Sequence, residues 1–234
     1  MKVLALDTAT DWCSVALWAD GELLSRERQA ERGHGAHVLT MIDELLAAAG
    51  WSLGSLDVIA FGRGPGAFTG LRLAASLTQG LAFAAGLPVL PVSDLRALAQ
   101  QALTAPLAGS RALACLDARM GEVYWGGFDD VDGYAQPATA EAVARPESVI
   151  GAARSWLGSR TAAGTGSGFS AYPLLASALS SQVHPIIAPR APHAREIAQL
   201  AAHDGLARAV PAEQALPVYL RDNVAVIPGQ VPRT

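Results

Sequence analysis

Two aspartates each close a short apolar run. Val3-Leu4-Ala5-Leu6-Asp7 and Leu113-Ala114-Cys115-Leu116-Asp117 stand 110 residues apart. A carboxylate at a strand end can order Mg²⁺ and water while the N–H groups of the following turn meet phosphate oxygens, the device of phosphotransferases. The turns here are Asp7-Thr8-Ala9-Thr10 and Asp117-Ala118-Arg119. Glycine normally permits the close backbone approach that phosphate needs. Ala9 and Ala118 stand in its place, which points to a degenerate site.

The glycine-rich run Gly62-Arg63-Gly64-Pro65-Gly66-Ala67-Phe68-Thr69-Gly70-Leu71-Arg72 follows one apolar strand and opens a helix. With Thr69 as cap and Arg63 and Arg72 beside the helix start, it suits an anion. It equally suits a rigid turn with no ligand. It is neither a Walker A loop nor a Rossmann fingerprint. Gly164-Thr165-Gly166-Ser167-Gly168 repeats the theme weakly, as a base or ribose support or as a flexible turn. The vestigial nucleotide or anion site therefore comprises Asp7, Thr8, Gly64, Pro65, Gly66, Thr69, Gly70, Arg72, Asp117, Arg119, Gly164 and Gly166. His34 and His37 are spaced as two ligands on one helix start but lack a third, so no metal site and no catalytic residue is assigned.

The elements that position these residues alternate strand and helix. Residues 3–7, 13–18 and 22–28 read as strands, with Asp20-Gly21 as a hairpin turn. Val38, Ile42, Leu45, Leu46 and Ala49 recur at helical spacing, and Gly50 stops that helix. A strand at 58–61 precedes a helix from Thr69 to Ala85. A strand at 88–92 precedes a helix that Ser93 caps. Thr104 to Ser110 reads as a linker. Beyond it the opening pattern returns: strands at 113–117 and 122–125, a helix at 147–156, a strand at 161–163, a helix at 172–179, a strand at 183–188 and a helix at 193–206. The repeat predicts an α/β fold of two duplicated halves, mixed sheets flanked by helices, divided as 1–104 and 105–234.

Composition narrows the function. Of 234 residues 51% are hydrophobic and 16% charged, which excludes global disorder. Sixteen arginines and one lysine against 21 acidic residues give a net charge of −4, too little basic surface for this chain to grip nucleic acid unaided. Cys13 and Cys115 sit in apolar runs and suit a reduced, cytoplasmic setting. No leader and no membrane span is read from the sequence. The small helix side formed by Ala74, Ala75, Thr78 and Ala82, with Leu71 and with His37, Val38, Met41, Ile42 and Leu45 of the preceding helix, reads as a partner interface wherever it is not core.

Leu4 to Thr10, the helix from His37 through Ile42-Asp43-Glu44-Leu45-Leu46, Gly64 to Arg72, Leu116 to Tyr124 and Pro217-Val218-Tyr219-Leu220-Arg221 together resemble the TsaB (YeaZ) family over nearly the whole chain. The resemblance implies the two-domain actin/Hsp70-like fold. It also implies a part in making N6-threonylcarbamoyladenosine (t6A) at position 37 of tRNAs that read codons beginning with A. In that pathway TsaC supplies threonylcarbamoyl-adenylate, and TsaD transfers the group with help from TsaB and TsaE. The implied partners are TsaD in a heterodimer, TsaE, and a second copy when the chain is alone, with tRNA met only through the complex and no membrane. The first half's helices would carry the pairing. No cofactor is intrinsic, and ATP would enter only in the complex. TsaD carries Val-Asn-His-x-x-x-His where this chain has Val92-Ser93-Asp94-Leu95-Arg96-Ala97-Leu98. Asp94 and Leu98 replace the histidines, which favours a non-catalytic subunit. The rivals are an actin-like ATPase or phosphotransferase working through Asp7 and Asp117, and an M22-type metallopeptidase from the family's older grouping. The pair Asp222-Asn223 faintly echoes the C-terminal region of TsaD.

Overall fold

A computed structural model describes residues 1–29, 34–105, 109–187 and 191–221, apart from the side chain of His34. The first half runs β1 (Lys2–Asp7), β2 (Trp12–Ala19), β3 (Glu22–Gln29), α1 (His34–Ala49), β4 (Val58–Gly62), α2 (Phe68–Ala85), β5 (Val89–Val92) and α3 (Asp94–Leu103). The second runs β6 (Arg111–Asp117), β7 (Val123–Val131), β8 (Tyr134–Pro137), β9 (Ala142–Ala144), α4 (Pro146–Leu157), β10 (Ala162–Thr165), α5 (Gly168–Ala171), α6 (Pro173–Ala178), β11 (Val183–Ile186) and α7 (Ala194–Asp204).

The duplication is visible in the strand orders. The first sheet is β3-β2-β1-β4-β5. The second, read from its β8 edge, is β8-β7-β6-β10-β11. In both, three strands meander antiparallel and two more join in parallel beyond the first strand. The hairpin at Asp20-Gly21 takes positive φ at both residues, as its twist requires. The hairpin closing β7 onto β8 uses Asp132-Gly133 the same way. Strands β8 and β9 were not expected from the sequence: Tyr-Ala-Gln-Pro and Ala-Val-Ala are too short to show an alternating pattern.

Side chains alternate between sheet faces, so each strand feeds two cores. Leu4, Leu6, Ile59 and Phe61 face α1 and α2. Val3, Ala5, Val58 and Ala60 face α7. In the second sheet Leu113, Cys115 and Val123 face α4 and α6, whereas Ala112, Ala114, Leu116 and Phe128 face α3. The division at 104/105 therefore follows chain order but not packing. Helix α3, from the first half, is buried along nearly its whole length on the second sheet. Helix α7, from the second half, returns to cover the first sheet. The linker's centre, residues 106–108, lies outside the described residues, as does position 188, where the strand expected at 183–188 would end.

A charged joint fixes this exchange. Arg96 of α3 is 5% exposed and donates from both guanidinium nitrogens to Asp204 of α7, at 2.6 and 3.0 Å. Its Nε donates to the Ala135 carbonyl of β8 at 2.6 Å. A planar guanidinium spends its donors well in such a fork, which lets the ion pair survive burial.

Candidate functional site

The two strand-end aspartates have different fates. Asp7 is fully buried and does not reach open space. Its carboxyl hydrogen-bonds the carboxyl of Asp94, the first residue of α3, and Oδ1 also accepts the Ala9 N–H at 3.1 Å. Asp94 Oδ2 accepts the Gly64 N–H at 2.5 Å. Both carboxyls press against Gly62, where a Cβ would lie 2.4 Å from an oxygen of each. Burial, then the facing Asp7 charge, pushes the Asp94 carboxyl well above the usual carboxylate range. Glu141 of the second half closes the cluster: it accepts from the Ser93 hydroxyl and pairs with Arg63 at 3.5 Å.

The glycine-rich loop is filled by the chain itself. The Thr8 hydroxyl donates to the Gly70 carbonyl at 2.7 Å, and the Ala67 N–H donates to the Ala9 carbonyl at 2.7 Å. A Cβ on Gly66 would come within 2.6 Å of the Ala9 carbonyl, and one on Gly70 within 1.9 Å of the Thr8 carbonyl. These glycines serve backbone-to-backbone packing between loop and turn. Thr69 does not cap α2; the cap is Ala67, which has no side chain to offer, and Thr69 is exposed. Ser93 caps α3 as expected, accepting the Arg96 N–H at 3.3 Å. Gly164 and Gly166 also pack inward, on Ile186 and on the Cys115 carbonyl.

Between the halves lies a cleft of about 1010 Å³. One wall is Thr10, Asp11, Trp12 and Pro65 to Phe68; the other is Leu116 to Arg119, Tyr124, Ser167, Ser170 and Ala171. Of the twelve residues expected around a nucleotide, only Pro65, Gly66, Asp117 and Arg119 line it. Asp7, Thr8, Gly64, Thr69, Gly70, Arg72, Gly164 and Gly166 do not. Asp117 is held by the Tyr172 hydroxyl at 3.0 Å and by Arg119 at 3.2 Å, with Oδ1 also accepting the Arg119 N–H. Burial, then that hydrogen bond, raises the Tyr172 phenol. The sequence reading missed Trp12, Tyr124, Phe68, Tyr219 and Arg221 at this cleft; Tyr219 and Arg221 stood in a recognised motif that nothing local tied to Asp117.

Most of the residues expected at a partner interface lie on the inner sides of their helices. Val38, Met41, Ile42, Leu45, Leu71, Ala74, Ala75, Thr78 and Ala82 are all buried in this chain's own core. Apolar periodicity marks the face that packs first, and the first sheet claims it; small residues let α2 settle closely on β4. The solvent side of these helices carries other residues: Leu39, Asp43 and Glu44 on α1, Ser76, Gly80 and Phe83 on α2, with Phe83 84% exposed. His37 is half-buried and faces Arg28 of β3 at 3.5 Å.

The stretch expected to correspond to the TsaD histidine motif offers no ligand pair here. Leu98 is fully buried among apolar neighbours, and Asp94 is committed to Asp7 and Gly64. Among the described residues no three His, Cys, Asp or Glu side chains gather as metal ligands. Nor is any described helix long and apolar enough to cross a membrane. Burial pushes both cysteine thiols up, as expected of inert core cysteines.

Comparison with known proteins places this arrangement. The family described as TsaD, tRNA N6-adenosine threonylcarbamoyltransferase, matches residues 27–229. The Escherichia coli (strain K12) protein named tRNA threonylcarbamoyladenosine biosynthesis protein TsaB is 40% identical, over 98% of this chain and the whole of that protein. The chain belongs to the TsaB family. The Haemophilus influenzae TsaB is 50% identical over 53% of this chain and 52% of its own length. A solved structure of YeaZ from Pseudomonas aeruginosa superposes with a TM-score of 0.79 at 42% identity, covering 94% of this chain and 99% of that one. A second Pseudomonas aeruginosa structure, of an uncharacterized protein with similarity to the peptidase YeaZ, gives 0.80 at 43% identity, with 94% and 99% covered. The TsaB-family fold and the duplicated α/β halves thus agree with the sequence reading.

Proposed function

We propose that this TsaB-family chain is a non-catalytic subunit in the formation of t6A in tRNA. It pairs with the transferase TsaD and activates it, TsaE joins, and ATP enters in that assembly. The observation that carries the non-catalytic reading is the burial of Asp7. A carboxylate hydrogen-bonded to Asp94 beneath Gly62 cannot order a cation in the cleft, and the neighbouring loop that would cradle phosphate is occupied by Thr8 and Ala9. The pairing surface in this reading is the solvent side of α1 and α2, where Phe83 and Leu39 stand out of the core. A second copy covers the same side when the chain is alone. The tRNA is met through the complex, consistent with a net charge of −4.

The reading is tested by reconstitution in which TsaD, TsaE, ATP, tRNA and the TsaC product are mixed with and without this chain. Modification that requires the chain supports it. Modification at the same rate without the chain overturns it.

A further inference from the structure

The two halves are joined very differently at the two ends of the cleft. At the base, α3 is packed along nearly its whole length and Arg96 is locked to Asp204. At the mouth the joining element is the chain after α7. Ala215 is anchored on α2, where Gln79 Nε2 donates to its carbonyl at 3.2 Å. From Leu216, which is 60% exposed, residues 216–221 cross the cleft without regular secondary structure, and Val218 to Arg221 line it.

Each contact of this strap belongs to one half or the other. On the first half the Val218 N–H donates to the Arg63 carbonyl at 2.7 Å, and the Val218 carbonyl sits where a Gly64 Cβ would be, 2.8 Å away. Gly64 takes φ +108°, so both its conformation and its missing side chain accommodate the strap. Arg72 Nε donates to the Tyr219 hydroxyl at 3.1 Å, and Tyr219 packs on Phe68 at 5.5 Å between ring centroids. On the second half Arg221 donates to Glu122 Oε2 at 2.5 Å and to the Ala118 carbonyl at 3.1 Å. The receiving turn takes positive φ at Arg119, Met120 and Gly121, a conformation held by the Ala118 N–H donating to the Glu122 carbonyl.

We propose that residues 216–221 are a latch: they hold the halves in the closed arrangement by bridging the glycine-rich loop to the Ala118–Glu122 turn, and the cleft opens at its mouth when Arg221 or Tyr219 lets go. The base is dense core and the strap's middle keeps one backbone hydrogen bond, so the strap is the weaker joint. Opening then turns about α3.

The test is double electron–electron resonance between nitroxides at Glu22→Cys on β3 and Ser177→Cys on α6, both exposed, in labelled protein diluted into excess unlabelled chain so that only distances within one chain are read, with Cys13 and Cys115 buried and unlabelled. The closed chain gives one narrow distance. Arg221→Ala and Tyr219→Ala each raise the ratio of a second, longer population to the closed one by about tenfold, the change expected from losing one charge-assisted hydrogen bond or one packed aromatic. Arg221→Lys, which keeps the charge but not the fork, falls between. Unchanged distances in variants that melt like the parent overturn the latch. Should those variants not fold, Glu122→Gln weakens the same bridge more gently. Its failure either to fold or to widen the distribution also overturns the latch, because the strap would then be structural only.

Discussion

Replacing Asp94 with asparagine should make the protein more stable, relative to the parent, as pH rises. The pair Asp7–Asp94 is fully buried and must hold a proton, because two facing carboxylates in that space repel. A group whose folded pKa is raised contributes stability that is complete below its unfolded pKa, near 4, and lost as pH climbs through the folded value. One proton makes the unfolding free energy fall by at most about 1.4 kcal/mol per pH unit across that window. The asparagine amide would keep the shape, accept the Gly64 N–H through its oxygen and donate through its nitrogen to Asp7, with no proton to lose. The difference between variant and parent should therefore widen with pH by up to that slope. Urea unfolding of both proteins at pH 5, 6, 7 and 8 measures it, since the slope from groups outside the pair cancels in the difference. Parallel profiles, or a variant destabilised by the same amount at every pH, would refute the shared-proton account.

Three further outcomes rest on the packing. Asp204→Ala leaves Arg96 buried without its carboxylate and should cost about 3–5 kcal/mol in chemical denaturation. Ala75→Glu forces a charge into the core under α2 and should prevent folding at moderate temperature, whereas Phe83→Glu on the solvent side should leave the melting temperature within a few degrees and weaken association with itself and with TsaD in ultracentrifugation. Burial raises Glu196 to about 7, so stability held below pH 4 declines up to pH 7; Glu196→Gln should flatten that part of the parent's profile when unfolding is followed from pH 4 to 8.

Much of the architecture was legible because the signals were local. Apolar runs ending in Asp7 and Asp117, the turn at Asp20-Gly21, the stop at Gly50 and the cap at Ser93 each depend on a few neighbouring residues, and each is as expected. What sequence could not give was the partner across space. The apolar sides of α1 and α2 were correctly recognised as faces, but periodicity does not say whether a sheet of the same chain or another protein covers them. Asp7 is the clearest case. Its position at a strand end signals a phosphate site, and only Asp94, 87 positions away, turns it into a buried carboxyl pair. The exchange of α3 and α7 between halves was invisible for the same reason. The cleft's aromatic and arginine rim comes from separate turns and a terminal strap that no motif had linked.

Whether the Asp7 turn and the glycine-rich loop are closed by the chain's own atoms can be read by calorimetric titration of the isolated protein with ATP·Mg²⁺. No heat of binding is expected up to millimolar nucleotide, and no hydrolysis. Micromolar binding accompanied by turnover would mean that the loop opens to phosphate and would restore Asp7 and Asp117 as working carboxylates.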